Sequence, residues 1–270
     1  MARTRRQQLR FQWIAAGAIL ALAVVSLVMW LRRREPGPGE LRGPFPTRRL
    51  SFRPRPFDRH HVPGQVLVLR TRLAYRPGRC AAAFRGRCVQ RLDLEDYVAG
   101  VVLAEEGLFS RERPSHPRQR AALQATWQLQ AVAARTYALY AILADKHLEG
   151  RTGFHLTDTI WDQAYTGRRA PAVTRAVRGT RRQVLVDRRG RLVYAEYSAS
   201  CGGRGTYDVV DRKRHIACHR ECKNRRYRRS SHYRGMCQWG SFLYALQGHG
   251  LPWLRRHYYP TSHVVRVHYR

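Results

Sequence analysis

Acidic residues are scarce in this chain of 270: 18 Asp and Glu stand against 51 Lys and Arg, a formal net charge of +33. So large a basic excess repels itself in a compact state and attracts polyanions of any kind, which brings nucleic acid in as a candidate partner. Any nucleic-acid recognition motif is missing, however. The arginines are spread over linker, loops and termini, with one dense run at Arg225-Arg226-Tyr227-Arg228-Arg229, so nucleic-acid binding ranks low. No internal repeat of fixed period is found, which disfavours a solenoid or propeller. Charge is absent from Trp13 to Leu31, a run rich in Ala, Leu, Val and Ile. At about 1.5 Å per residue it nearly spans a hydrocarbon core of about 30 Å and reads as a membrane helix. The alternative, a cleaved signal peptide, has a shorter apolar stretch and a small-residue cleavage pattern, whereas this run ends in Trp30-Leu31-Arg32-Arg33-Arg34. Arginines flank it on both sides, so the positive-inside bias does not orient it.

What is present suffices for a folded body. Hydrophobic residues make up 44% of the chain, enough for a packed core. Residues 1–12 read as a basic tail, 13–31 as the anchor, and 32–64, with Pro36, Pro38, Pro44, Pro46, Pro54, Pro56 and Pro63, as an extended linker. The body is then 65–270. Gln65–Thr71 alternates as a strand, and Cys80 and Cys88 bracket a turn at Arg85-Gly86, making them the simplest disulfide pair, before a short strand at Val89–Leu92. Asp93 can cap a helix with Leu94, Tyr97, Val98, Val101 and Val102 at helical spacing, and Glu105 near its end. A longer, largely buried helix is expected over Ala121–Leu148 with Pro117 near its start. Ala170–Arg178 reads as helix with Gly179 as a left-handed stop. Gln183–Asp187 and Arg191–Tyr197 read as a hairpin turning at Arg188-Arg189-Gly190, and Gly235–Gly250 as a loop feeding a helix. The expected fold is α+β: one mixed helix and strand domain with a substrate groove.

Three polar stretches stand out. Glu105 lies in an apolar run at a helix C-terminus, where desolvation and the helix dipole both raise a carboxyl pKa and suit a general acid; Arg135, if near, would instead hold it ionised. An exposed surface glutamate is the plainer reading. Gln130, Arg135 and Tyr137 interrupt an Ala/Val/Leu helix and need partners, either a structural network or a sugar. Tyr197-Ser198-Ala199-Ser200-Cys201-Gly202-Gly203 ends a strand in small polar groups that let a glycan approach, or form only a tight turn. His232, in Ser231-His-Tyr-Arg-Gly-Met-Cys-Gln-Trp-Gly240, has donor and acceptor capacity for a substrate hydroxyl.

Together, Gly100-Val-Val-Leu-Ala-Glu105, Gln130–Tyr137, Tyr197–Gly203 and Ser231–Gly240 resemble the stage II sporulation protein D (SpoIID) family. Its members include lytic transglycosylases that cut peptidoglycan and relatives called amidase enhancers. The resemblance spans about Val66 to Tyr259 and implies Glu105 as the catalytic acid, with Gln130, Arg135, Tyr137, Ser198, Ser200, His232 and Gln238 contacting substrate. Departures are Glu106 and Gly107 where Met and Pro are frequent, Ser231 and Tyr233 in place of glycines, and a displaced Thr206. The implied reaction breaks the MurNAc–GlcNAc bond with one carboxyl, the muramic 6-hydroxyl replacing water and leaving a 1,6-anhydro end. No cofactor is needed for it. Glycan strands, and a cell-wall amidase in the enhancer case, are the implied partners, and such a substrate places the body outside the cytoplasm, held by a single span. There, Cys218-His-Arg-Glu-Cys222 has ligand-like spacing, and with Cys201 and Cys237 it is expected to form a four-sulfur zinc site ahead of disulfides, because both flanking cysteines lie in motif segments. The His/Cys segment associated with zinc in some members is absent around Phe154–Tyr165.

Overall fold

In the computed structural model of the chain, residues 57–106, 116–223 and 231–270 are described. The tail, the anchor expected at 13–31, most of the linker and the Arg225–Arg229 run lie outside them. Among the described residues no helix is long and apolar enough to cross a membrane. The expected linker gives way to folded chain before residue 65: Val62 is buried and bridges Tyr269, and His60 stacks on His268.

The domain opens with β1 (Gln65–Ala74), β2 (Ala82–Phe84) and β3 (Arg87–Asp93). β1 and β2 both pair antiparallel with β3, and β4 (Leu156–Thr157) joins β1 in parallel, giving the order β2-β3-β1-β4. Arg85 and Gly86 both take positive φ in the β2–β3 turn, and the expected Cys80–Cys88 disulfide closes beside it. α1 (Leu94–Glu105) starts at the expected cap: the Asp93 carboxylate accepts from the backbone N–H groups of Glu95 and Asp96 at 2.9 and 3.1 Å. Two orphan donors of the first turn are thereby satisfied.

α2 (Pro117–Leu143) is the axis of the fold. Its alanines leave room for close neighbours on every side, and it packs against α1, α4 (Pro171–Gly179), β5 (Gln183–Val186), α5 (Gln238–Leu246) and α6 (Leu251–Tyr258). A helix apolar all round belongs inside, and the run Leu129–Ala141 is buried without a break. It ends earlier than expected. Asp145 and Leu148 adopt positive φ, and the chain turns through α3 (Glu149–Thr152) so that Lys146 and His147 point inward.

Two further expectations are corrected. Gly179 remains helical instead of stopping α4 in the left-handed region. A Cβ there would lie 3.0 Å from Gln128 Nε2, so its small size serves the approach of α4 to α2. The Asp187–Arg191 turn forms, with Asp187 accepting from the N–H groups of Arg189 and Arg191, but no hairpin of matched strands follows. β5 pairs instead with β10 (His263–Arg266), and after the Val186–Leu192 bridge the chain peels away to form β6 (Tyr197–Ser198), parallel to β9 (Met236–Cys237). β7 (Thr206–Tyr207) and β8 (His215–Ile216) form a small antiparallel pair between them.

Candidate functional site

Glu105 is the last residue of α1 and is partly open to solvent. Its Oε1 accepts the backbone N–H of Ala164 at 2.7 Å, and the side-chain amide of Gln238, at the start of α5, bonds the same carboxyl. Burial pushes the carboxyl up to about 7, and it does so against both of these hydrogen bonds, which favour the ionised form. The group therefore exchanges its proton near neutral pH. Behind Gln238, its Nε2 donates to Gln130 Oε1 at 3.3 Å, so residues far apart in sequence form one file running from the core of α2 to the tip of α1.

The segment that delivers Ala164 is itself anchored. Asp162 is buried with Lys146 against one oxygen, while His147 Nε2 at 2.8 Å and the Thr157 N–H and Oγ1, both at 2.8 Å, engage the other. Burial alone would raise this carboxyl, but the charge of Lys146 and the surrounding hydrogen bonds hold it well below the usual range. Gln163 then bridges two tyrosines near Glu105: it accepts from Tyr97 Oη at 3.2 Å and donates to Tyr197 Oη at 2.9 Å. Tyr165 packs over α1 at Gly100, where a Cβ would lie 2.2 Å from a ring carbon. That is why the motif has glycine in mid-helix. Replacing Gly100 with Ala should destabilise the fold by up to about 2 kcal/mol, since overpacking costs about 1–3 and the better helix propensity of Ala offsets about 1. Chemical denaturation measures this, and an unchanged midpoint would mean that the ring yields freely.

The other expected substrate contacts are placed elsewhere. Arg135 is fully buried and forms a bidentate pair with Glu95, Nη2–Oε2 2.6 Å and Nε–Oε1 3.1 Å, while Nη1 donates to Gln183 O at 3.0 Å. Glu95 lies at the opposite end of α1 from Glu105, roughly 15 Å away at 1.5 Å per residue, so Arg135 does not hold Glu105 ionised. Tyr137 is buried, accepts from Lys146 Nζ at 2.8 Å and from Tyr194 Oη at 3.1 Å, and belongs to the Asp162 network. Ser198 faces Ser231 at 3.0 Å, and the fully buried Ser200 accepts the Gly202 N–H at 3.1 Å. Thr206 donates to Gly235 O at 2.7 Å. His232 uses both ring nitrogens on backbone: Nε2 with Tyr197 O at 3.0 Å and Nδ1 with the Arg234 N–H at 3.2 Å. Burial lowers its pKa, so it is neutral at pH 7 and braces the loop. Of the seven, Gln238 alone reaches the Glu105 carboxyl, and Gln130 stands behind it. Cys201, Cys218, Cys222 and Cys237 do converge, with their Sγ atoms all within 4.8 Å of one another.

Sequence reasoning missed the Asp162 network, Gln163 and the Ala164 N–H. A backbone donor has no side-chain signature, and Lys146, His147 and Asp162 gave no motif spacing. Glu106 was noted only as a departure. It is fully buried, neither of its oxygens has a hydrogen-bond partner among the described residues, and burial followed by the charge of Glu105 keeps it protonated.

A helix tipped by one desolvated glutamate is thus crossed by a long buried helix and closed by a returning glutamine. Residues 85–186 match the family described as SpoIID, stage II sporulation protein. The match takes in Glu105, Gln130, Arg135 and Tyr137 and stops before β6, so the approach of Gln238 to Glu105 is seen from the structure alone. An uncharacterized protein of Brachyspira hyodysenteriae is 37% identical over 117 residues, which cover 43% of this chain and 27% of that protein's length.

Proposed function

We propose that this protein is a peptidoglycan lytic transglycosylase in which Glu105 is the sole acid and base. The carrying observation is a carboxyl half-buried at a helix end and held by one backbone N–H and one amide, where burial pushes it up to about 7. In its protonated form Glu105 gives its proton to the MurNAc–GlcNAc oxygen as that bond breaks. Ionised, it then takes the proton of the muramic 6-hydroxyl as this oxygen closes on C1. Hydrolysis would call for a second carboxyl on the other face of the sugar. The neighbouring Glu106 does not fill that role, because it is fully buried. Gln238 and Ala164 stabilise the ionised state reached midway, which a donor pair aimed at the carboxyl is suited to do. Incubating the purified chain with isolated glycan strands, bare and peptide-bearing, should release fragments ending in 1,6-anhydro-muramic acid, detected by mass spectrometry.

The bond-breaking step needs protonated Glu105, so kcat/KM should fall as pH rises through about 7. Gln238→Leu removes a donor that favours the ionised carboxyl, and this falling limb should move to higher pH; a limb that stays put would separate it from Glu105. The second reading, a noncatalytic amidase enhancer, is favoured by the enclosure of Arg135, Tyr137, Ser200 and His232, which leaves few of the expected sugar contacts exposed. It predicts wall binding and a faster partner amidase with no anhydro ends. In either case the charge-free run at 13–31 would hold the domain outside the cytoplasm, where the Cys80–Cys88 disulfide is at home. The basic chain would there meet anionic wall or lipid before nucleic acid.

A further inference from the structure

The four cysteines of the second half of the domain have a geometry of their own. None is disulfide-bonded; Cys201, Cys222 and Cys237 are buried and Cys218 is half-buried. Cys222 Sγ lies 3.7 Å from Cys201 Sγ and 3.4 Å from Cys237 Sγ, and all four sulfurs fall within 4.8 Å of one another. Four thiolates at about 2.3 Å from a tetrahedral Zn²⁺ stand about 3.8 Å apart. A disulfide needs about 2.05 Å.

The surroundings suit thiolates. Cys237 is the N-cap of α5, at the positive end of the helix dipole, and its Sγ accepts the N–H groups of Cys201 at 3.2 Å and Gly240 at 3.3 Å. Gly240 makes the space: a Cβ there would lie 2.5 Å from Cys218 Sγ. The ligands come from three separate segments, the loop after β6, the 218–222 turn and the β9–α5 junction, and the Ser198–Cys237 register of β6 on β9 sets the first beside the third.

We propose that Cys201, Cys218, Cys222 and Cys237 bind one Zn²⁺ in a closed, structural site that fixes the start of α5. With all four positions filled by sulfur, the metal has no open place for substrate or water. Its effect on Glu105 is indirect: Gln238 follows the ligand Cys237 directly, so the metal holds the amide that reaches the catalytic carboxyl. An oxidising compartment that closes Cys80–Cys88 gives these thiols a reason to be metal-bound, since ligation keeps close sulfurs from pairing.

The full chain, purified without added metal, should carry about one zinc per molecule by elemental mass spectrometry. Its non-reduced mass should show only the Cys80–Cys88 bond. Cys80→Ser with Cys88→Ser should keep the zinc, whereas Cys218→Ser with Cys222→Ser should lower it to below about a tenth per chain. Should that second variant fail to fold, Co²⁺ exchanged into the unaltered chain must give the charge-transfer and visible bands of tetrahedral cobalt thiolate. Three disulfides with no metal, iron in place of zinc, or zinc retained after loss of Cys218 and Cys222 would each overturn the proposal. None of these readouts depends on glycan cleavage, so the metal site stands or falls apart from the enzymatic reading.

Discussion

Glu105→Gln should abolish release of anhydro-ended glycan, with kcat/KM falling by at least about 10²–10⁴, the usual contribution of a positioned acid. Glutamine keeps the shape and the oxygen that accepts the Ala164 N–H, so the fold should persist. The stability effect has a definite sign. The folded carboxyl holds its proton up to about pH 7, against 4.5 for the free side chain, so between those values the native state binds more protons than the unfolded one. Wild-type stability from this group is complete in acid and declines as pH rises through 7. The glutamine variant has no such loss and should melt higher than wild type above pH 7. Equal turnover by the two proteins would end the assignment of Glu105. If neither releases fragments while both bind isolated wall, the enhancer reading replaces the enzymatic one.

The largest effect on stability should come from the Arg135–Glu95 pair. Glu95→Gln leaves a fully buried guanidinium without its counter-charge, and breaking a buried pair in this way costs about 3–5 kcal/mol. For a domain of this size that lowers Tm by about 6–20 °C. Arg135→Met should cost less, and Glu95→Gln with Arg135→Met should recover part of the loss, because no unpaired charge stays behind. Burial works to raise the Glu95 carboxyl, but the charge of Arg135 and hydrogen bonds from Arg135, Tyr269 and the Arg182 N–H hold it below its ordinary value. Its contribution is thus present above the unfolded pKa of 4.5 and is lost as pH falls through the folded one. Calorimetry from pH 7 down to pH 3 should show the gap between wild type and Glu95→Gln narrowing. A Tm within a degree of wild type at pH 7 would show that the pair is not the clamp between α1, α2 and β5.

The reading of single elements from sequence succeeded where one local cause dominates. Asp93 capped α1 because a carboxylate there meets free N–H groups whatever lies beyond. Ala-rich α2 was legible as a buried helix, and Arg85-Gly86 as a turn, for equally local reasons. Gly179 was misread because a glycine stays helical as readily as it stops a helix, and here it faces Gln128 of α2; the 191–197 segment was misread because, after the Val186–Leu192 bridge, pairing of β6 with β9 draws the chain away from β5.

In the site, the sequence by itself determined that Glu105 ends a helix in apolar company, that buried polar groups on α2 must find partners, and that Cys218 and Cys222 bear ligand-like spacing. Those follow from side-chain chemistry and periodicity along the chain. Only the tertiary structure decided which partners: Arg135 with Glu95 instead of a sugar, His232 with backbone, Gln238 and the Ala164 N–H with Glu105. Hydrogen bonds are short-ranged and directional, so a difference of a few ångströms in how α2, α5 and the 161–165 segment pack settles who meets whom. That packing is a property of the whole core, and no single stretch of sequence carries it.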